Sequence, residues 1–448
     1  MHKIFSETAL IGRAWQHNVT LCVENGMIQS ITPDTKLTDH AHHYQALVAG
    51  MPNLHSHAFQ RAMAGFAERR GSTIDSFWSW RTEMYRLALS MKPQQLEDVA
   101  SQLYMEMLEA GFTRVGEFHY LHHNVDGKPY DDIGEMASRI AAAAEKTSIR
   151  LTLLPVFYAH ANFGGIEPID GQKPFINNPE TFYKLLTSCK RHLKQLDGSV
   201  LGIAPHSLRA VTPQELETIL PMTEGSPVHI HIAEQIKEVD DCIAWSGQRP
   251  VEWLLEHQPV DDKWCLIHAT HMTERETKSA ALTGAIAGLC PITEGNLGDG
   301  IFNGLKFLDH GGDFGIGSDS NVCISVDQEL RQLEYSLRLK NHMRNVVATT
   351  EQSNGLNLYT KAISGGKKAL GCKSAIHVGQ PADFVALDRQ GQDWLVDDAI
   401  LDNWIFTGNI SVESVWIGGR EIVKNGQHHA RQMITGAFQK TMRSLFEK

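Results

Sequence analysis

The chain has 448 residues, with 41 Lys and Arg against 52 Asp and Glu, a net charge of −11, and 23 His. At 42% hydrophobic and 21% charged residues it has the composition of an ordinary globular protein, which excludes disordered, collagen-like and supercharged classes. The acidic balance, with no block of clustered Lys and Arg, argues against a nucleic-acid partner.

Taken in chain order, residues 1–48 carry short alternating segments such as NVTLCVENGMIQSI, where Asn25-Gly26 marks a two-residue hairpin turn. From residue 49 the pattern becomes short apolar strands separated by long amphipathic helices. The strands are ALVAGMPNLHSH, RVGEFHY, RLTLLPVFY, SVLGIAPHS, PVHIHIAE, WCLIHATH, AIAGLCPIT and DFGIGSDS. Helical stretches between them include QLEDVASQLYMEMLEAG, closed by Gly111, and PETFYKLLTSCKRHLKQLDG. Eight strand–helix units over residues 49–374 predict an α/β chain with a (β/α)8 TIM-type barrel. The text turns β-like again over residues 375–430, with turns at Gly418-Gly419 and Asn425-Gly426, and 431–448 reads as an amphipathic helix. The two β-rich ends, 1–48 and 375–430, are expected to build one small β-sandwich domain.

Seven Cys at scattered positions, without a C-x-x-C pair, read as the reduced thiols of a cytoplasmic protein. The opening MHKIFSETALIG has no apolar core of a signal peptide, and no stretch approaches 18 apolar residues, so neither export nor a membrane partner is expected.

The histidines matter by position. His55 and His57 end the first barrel strand, where residues two apart share a face and point to the mouth at which barrel active sites are built. The fifth strand ends in His229, His231 and Glu234, the sixth in His268 and the eighth in Asp319. His55, His57, His231 and Asp319 make a three-nitrogen, one-oxygen set suited to Zn²⁺ or Fe²⁺, with a water in the open position. The alternative is a group of independently satisfied core residues. His229 is expected in a supporting or core position. His119, His122 and His123 read as loop histidines near the pocket or, less simply, as a second site. His40, His42, His43, His428 and His429 read as surface residues.

At these residues the chain resembles the deaminase branch of the amidohydrolase superfamily, whose pattern is H-x-H, H-x-x-E, a strand-six His and a strand-eight Asp. The phrases MPNLHSHAFQRAMAG, FWSWRTEMYR, GEFHYLHH, APHSLRAV, HIHIAEQ and LCPITEGNLGDG narrow the likeness to branch members that hydrolyse N-formimidoyl-L-glutamate. The resemblance implies His55, His57, His231 and Asp319 as zinc ligands, and Glu234 and His268, with Asp319, as catalytic groups. It implies Gln60, Arg81, Tyr120, His206 and Arg209 as substrate-binding residues, and a homodimer. GIAPHSL at strand four offers no Lys to bridge two metals, so one Zn²⁺ per subunit is expected. A small substrate with two carboxylates fits Arg81 and Arg209, since a guanidinium pairs with a carboxylate through two hydrogen bonds. The competing readings are a branch member acting on guanine, cytosine, a triazine or an adenosine derivative, and a catalytically dead barrel with a structural role.

Overall fold

The computed structural model describes residues 2–68 and 77–446. Residue 1 and the last two positions of the expected terminal helix lie outside the described residues, as do positions 69–76.

Strands β1 (His2–Ile11), β2 (Ala14–Glu24), β3 (Met27–Thr32) and β4 (His42–Ala49) open the chain. Eight barrel positions follow: β5 (Met51–Ser56), β6 (Phe112–His119), β7 (Arg150–Phe157), β8 (Val200–Leu201) with β9 (Ala204–Pro205), β10 (Val228–Ile232), β11 (Trp264–His268), β12 (Ile286–Leu289) and β13 (Asp313–Ile316). The chain ends with β14 (Phe384–Asp388), β15 (Ser411–Ile417), β16 (Arg420–Lys424), β17 (Gln427–His428) and a helix, Arg431–Phe446.

The barrel strands pair in parallel as two arcs, β5 to β9 and β10 to β13. Bridges Ile203↔Val228 and Ser207↔His231 join the arcs on one side, and Ser56↔Asp319 joins them on the other. The expected α/β barrel is therefore what the chain builds. Its strands are buried along both faces, as parallel strands covered by helices must be. The fourth strand is broken into two short pieces. A Cβ on Gly202 between them would lie 2.6 Å from Leu154 Cδ2 and 2.7 Å from the Pro227 carbonyl oxygen, so the backbone passes close to both neighbours there.

The flanking strands form one mixed sheet in the order β17-β16-β15-β14-β4-β1-β2-β3. Its edge returns on itself where Met27 bridges Pro381. Ile4, Val19, Leu21, Leu47, Phe384 and Trp416 give it an apolar core of its own. Three of its hairpins turn on two residues with positive φ, Asn25-Gly26, Gly418-Gly419 and Asn425-Gly426, the geometry that matches strand twist.

Helix α1 (Phe77–Ala88) hangs over the barrel mouth, and α2 (Pro93–Glu109) packs outside. Gly111 at φ 94° follows α2 as its stop. No helix among the described residues is long and apolar enough to cross a membrane.

Candidate active site

Backbone strain aims the strand ends at one point. Ala233, His268, Ala269 and Asp319 are non-glycine residues at φ 50°, 65°, 47° and 47°, a conformation that L side chains adopt at a cost and that gathers at working sites. In β5 the register against β6 shifts between Asn53 and Ser56, so an irregular strand end, not strict alternation, brings His55 and His57 together. Their rings lie 4.6 Å apart.

His55, His57, His231 and Asp319 are all buried, and one ligand atom from each lies within 4.8 Å of the others. His55 Nε2 and His57 Nε2 are 3.3 and 3.2 Å from Asp319 Oδ1, and His231 Nε2 is 3.1 Å from His55 Nε2. His57 Nδ1 donates to the Phe118 carbonyl and His231 Nδ1 to the His206 carbonyl, each at 3.0 Å. Those bonds leave the Nε2 lone pairs of both rings facing inward. Burial holds His55 down to about 3 and His231 well below the usual range, which favours neutral imidazoles at these two ligands. Burial pushes Asp319 upward, but the His55 and His57 rings beside it outweigh burial and hold the carboxyl well below its usual range. Converging lone pairs of this kind repel one another without a cation between them, so the donor set fits a metal ion.

His268 stands beside this cluster. Its Nε2 is 3.8 Å from Glu234 Oε1 and 3.7 Å from Asp319 Oδ2, while Nδ1 is 3.3 Å from Glu294 Oε1. Burial lowers its pKa, yet the surrounding carboxylates of Glu234, Glu294 and Asp319 prevail and push it up to about 10. Glu234 is pushed up to about 7, chiefly by burial. His268, Cys290 and Asp319 form a second close grouping that shares Asp319.

A narrow cavity opens onto the cluster, and Gln60, Arg81, Tyr120, His206 and Arg209 all line it. Gln60 Nε2 donates to Tyr120 Oη at 2.9 Å, and Gln60 Oε1 is buried without a partner. Arg81 donates from Nε to Tyr85 Oη at 2.5 Å and sits 5.5 Å above the Trp78 ring. Arg209 is 5% exposed, and its Nε has no hydrogen-bond partner among the described residues. Neither arginine has a carboxylate partner among the described residues. The sequence reading missed several lining groups, among them Tyr85, Tyr158 and Phe175. It also missed Glu294 and Glu117, whose Oε1 accepts from the Ala58 amide at 2.7 Å and steadies the turn after His57. A carboxylate within an otherwise apolar strand, as in RVGEFHY, was the available signal for Glu117.

Several of the other histidines serve the backbone. His229 Nε2 donates to the Ala369 carbonyl at 2.7 Å, which makes it the expected core residue. His122 and His123 donate to the carbonyls of Val156 and Ile176, at 2.9 and 3.1 Å. No metal-type grouping among the described residues includes these two or His119. His428 is not on the surface as read from sequence: it is 2% exposed and donates from Nε2 to the Thr147 carbonyl at 3.0 Å. His40, His43 and His429 are exposed, and His42 is half-buried.

The chain is 47% identical to the formimidoylglutamate deiminase of Pseudomonas aeruginosa over the whole of both chains. It is 28% identical to a 5-methylthioadenosine/S-adenosylhomocysteine deaminase of Shouchella clausii, over 85% of this chain and 82% of the relative. Among solved structures, an amidohydrolase from Brucella melitensis superposes with a TM-score of 0.98 at 54% identity, covering 99% of this chain and 100% of that one. A zinc-bound adenosine deaminase from Xanthomonas campestris superposes with a TM-score of 0.81 at 18% identity, covering 100% and 98%, and shares the fold. Because the amidohydrolase family model matches residues 46–422, from the strand before the first histidine pair to the sheet that follows the barrel, this protein belongs to the amidohydrolase family.

Proposed function

We propose that this chain hydrolyses N-formimidoyl-L-glutamate to N-formyl-L-glutamate and ammonia with one Zn²⁺ per subunit, as a step in histidine degradation. The observation that carries the reading is the pair of guanidinium groups, Arg81 and Arg209, lining the same cavity as the four-ligand cluster without a carboxylate partner among the described residues. They match a substrate with two carboxylates and one reactive amidine. The full-length likeness to the Pseudomonas aeruginosa enzyme supports the same substrate.

His55, His57, His231 and Asp319 hold the metal in this reading, which when bound lowers the pKa of a water toward about 7 and so supplies the nucleophile. Arg81 and Arg209 anchor the substrate carboxylates, helped by Gln60, Tyr120 and His206, and place the formimidoyl carbon at the cluster. His268 Nε2 orients the attacking water by donating a hydrogen bond to it, and Asp319 Oδ2 draws off its proton. Glu234 Oε1 delivers a proton to the terminal nitrogen. The new carbon–oxygen bond forms, the carbon–nitrogen bond to that nitrogen breaks, and ammonia leaves. A carboxyl pushed up to about 7 changes protonation state easily near neutral pH, as such a shuttle requires.

The same reading keeps the division into a 1–48 and 375–430 unit, a 49–374 catalytic barrel and a 431–448 helix, supported by the separate apolar core of the flanking sheet. It also keeps the homodimer and the cytoplasmic location, the latter supported by seven free cysteines. The test is release of ammonia and formylglutamate, with and without a chelator. Chelator-sensitive turnover of formimidoylglutamate supports the reading, and turnover of guanine or an adenosine derivative in its place overturns it.

A further inference from the structure

We propose that Glu294 is a positioning residue for this hydrolysis, holding the His268 ring so that Nε2 faces Asp319 and Glu234; the proposal rests on the function given above. Glu294 lies on the helix Pro291–Leu297, directly after β12, and its side chain turns back to the Cys290 amide and the His268 ring. Its Oε1 accepts from His268 Nδ1 at 3.3 Å and from the Cys290 amide at 3.0 Å.

Two features separate this from an ordinary helix-start carboxylate. Glu294 is 5% exposed, and its only ion-pair partner among the described residues is His268; neither Lys nor Arg compensates it. A buried carboxylate is costly unless it is paired, and here the pairing rests on the His268 ring, which ties the two side chains together. Second, His268 and Ala269 are consecutive left-handed residues, so the backbone alone leaves the ring at the end of a strained turn with nothing but Glu294 to hold Nδ1. With Nδ1–H donated to Glu294, Nε2 is presented to Asp319 Oδ2 and Glu234 Oε1, 3.7 and 3.8 Å away.

The experiment compares Glu294→Leu, Glu294→Gln and His268→Asn, alone and combined, for kcat, KM, metal content and melting temperature. Glu294→Leu is expected to lower kcat by about 30-fold with KM and metal content nearly unchanged, the scale of losing a hydrogen bond behind a working histidine. Glu294→Gln keeps an acceptor at the same place and is expected to cost only about threefold. In a His268→Asn background, Glu294→Leu is expected to add less than about a factor of two, because the two act as a unit. A kcat within twofold of wild type, or losses that multiply in the double variant, overturns the proposal. A crystal structure of Glu294→Leu gives a readout independent of the substrate: a rotated His268 ring supports positioning and an unmoved ring overturns it. Absence of formimidoylglutamate turnover by the wild type counts against the function, and the ring orientation still decides the role of Glu294.

Discussion

Glu234 and Asp319 are buried carboxylates within 4 Å of the same imidazole, yet their surroundings drive them apart. Burial dominates at Glu234 and pushes it up to about 7, whereas at Asp319 the neighbouring imidazoles overcome burial and hold the carboxyl well below its usual range. One group is thus poised to exchange a proton and the other to stay an anion, the division of labour that pairs of carboxylates reach through environment. Glu234→Gln is expected to keep its metal and lose about 100-fold or more in kcat, since the amide accepts a hydrogen bond but carries no proton to the nitrogen. Metal analysis beside steady-state kinetics checks this, and near-native kcat would exclude proton transfer through Oε1. Arg209→Met is expected to raise KM for formimidoylglutamate by about 10- to 100-fold, the cost of a lost charged hydrogen bond. The same change should leave a formimidoyl amine without carboxylates almost unaffected; equal losses on both would refute carboxylate binding by Arg209.

At the scale of elements, the end of the barrel opposite the mouth is closed by the helix Asn354–Ala369. Tyr359 Oη donates to the Ala49 carbonyl at 2.7 Å, and the Ala369 carbonyl accepts from His229. Ser364-Gly365-Gly366 would weaken a solvent-exposed helix, but here the glycines allow backbone contact. A Cβ on Gly365 would fall 2.0 Å from the Phe314 carbonyl oxygen, at the strand that leads to Asp319. Gly365→Ala is therefore expected to destabilise the fold by about 2 kcal/mol or more, despite the better helix propensity of alanine. Thermal melting checks this, and an unchanged melting temperature would show that helix and strand separate freely.

For the whole molecule, a bidentate pair is among the ties between the flanking sheet and the barrel. Arg150, on β7, meets Asp383 at 3.1 Å through Nε and 3.3 Å through Nη2, and Asp383 Oδ1 also accepts from the Gly418 amide at 2.6 Å. Both side chains are largely buried, so removing one leaves the other charge without compensation. Asp383→Ala is expected to cost about 3 kcal/mol of stability while leaving kcat unchanged, because the pair lies away from the cavity-lining residues. Denaturant unfolding beside kinetics separates the two effects, and a matching loss of kcat would place the sheet in control of the mouth.

Eight apolar strands at regular spacing and a His, His/Glu, His and Asp at their ends were legible in the chain as written, because parallel strands bury both faces and active groups gather at one end of a barrel. The hairpin turns were equally legible, since Asn-Gly and Gly-Gly meet a local requirement for positive φ. The charge of −11 excluded a class of partner but did not report the local field, where two arginines share the cavity with the metal cluster. What only the tertiary structure decided depends on atoms far apart in sequence. His428 looks like a surface residue until Thr147 is brought to it, and Glu294 looks like a helix start until His268 turns toward it. The surplus of histidines resolves the same way: His122, His123, His229 and His428 each donate to a backbone carbonyl that only folding places within reach. Local patterning determined the elements and the order of the ligands, whereas burial and long-range hydrogen bonds decided which side chains carry charge and which hold the backbone.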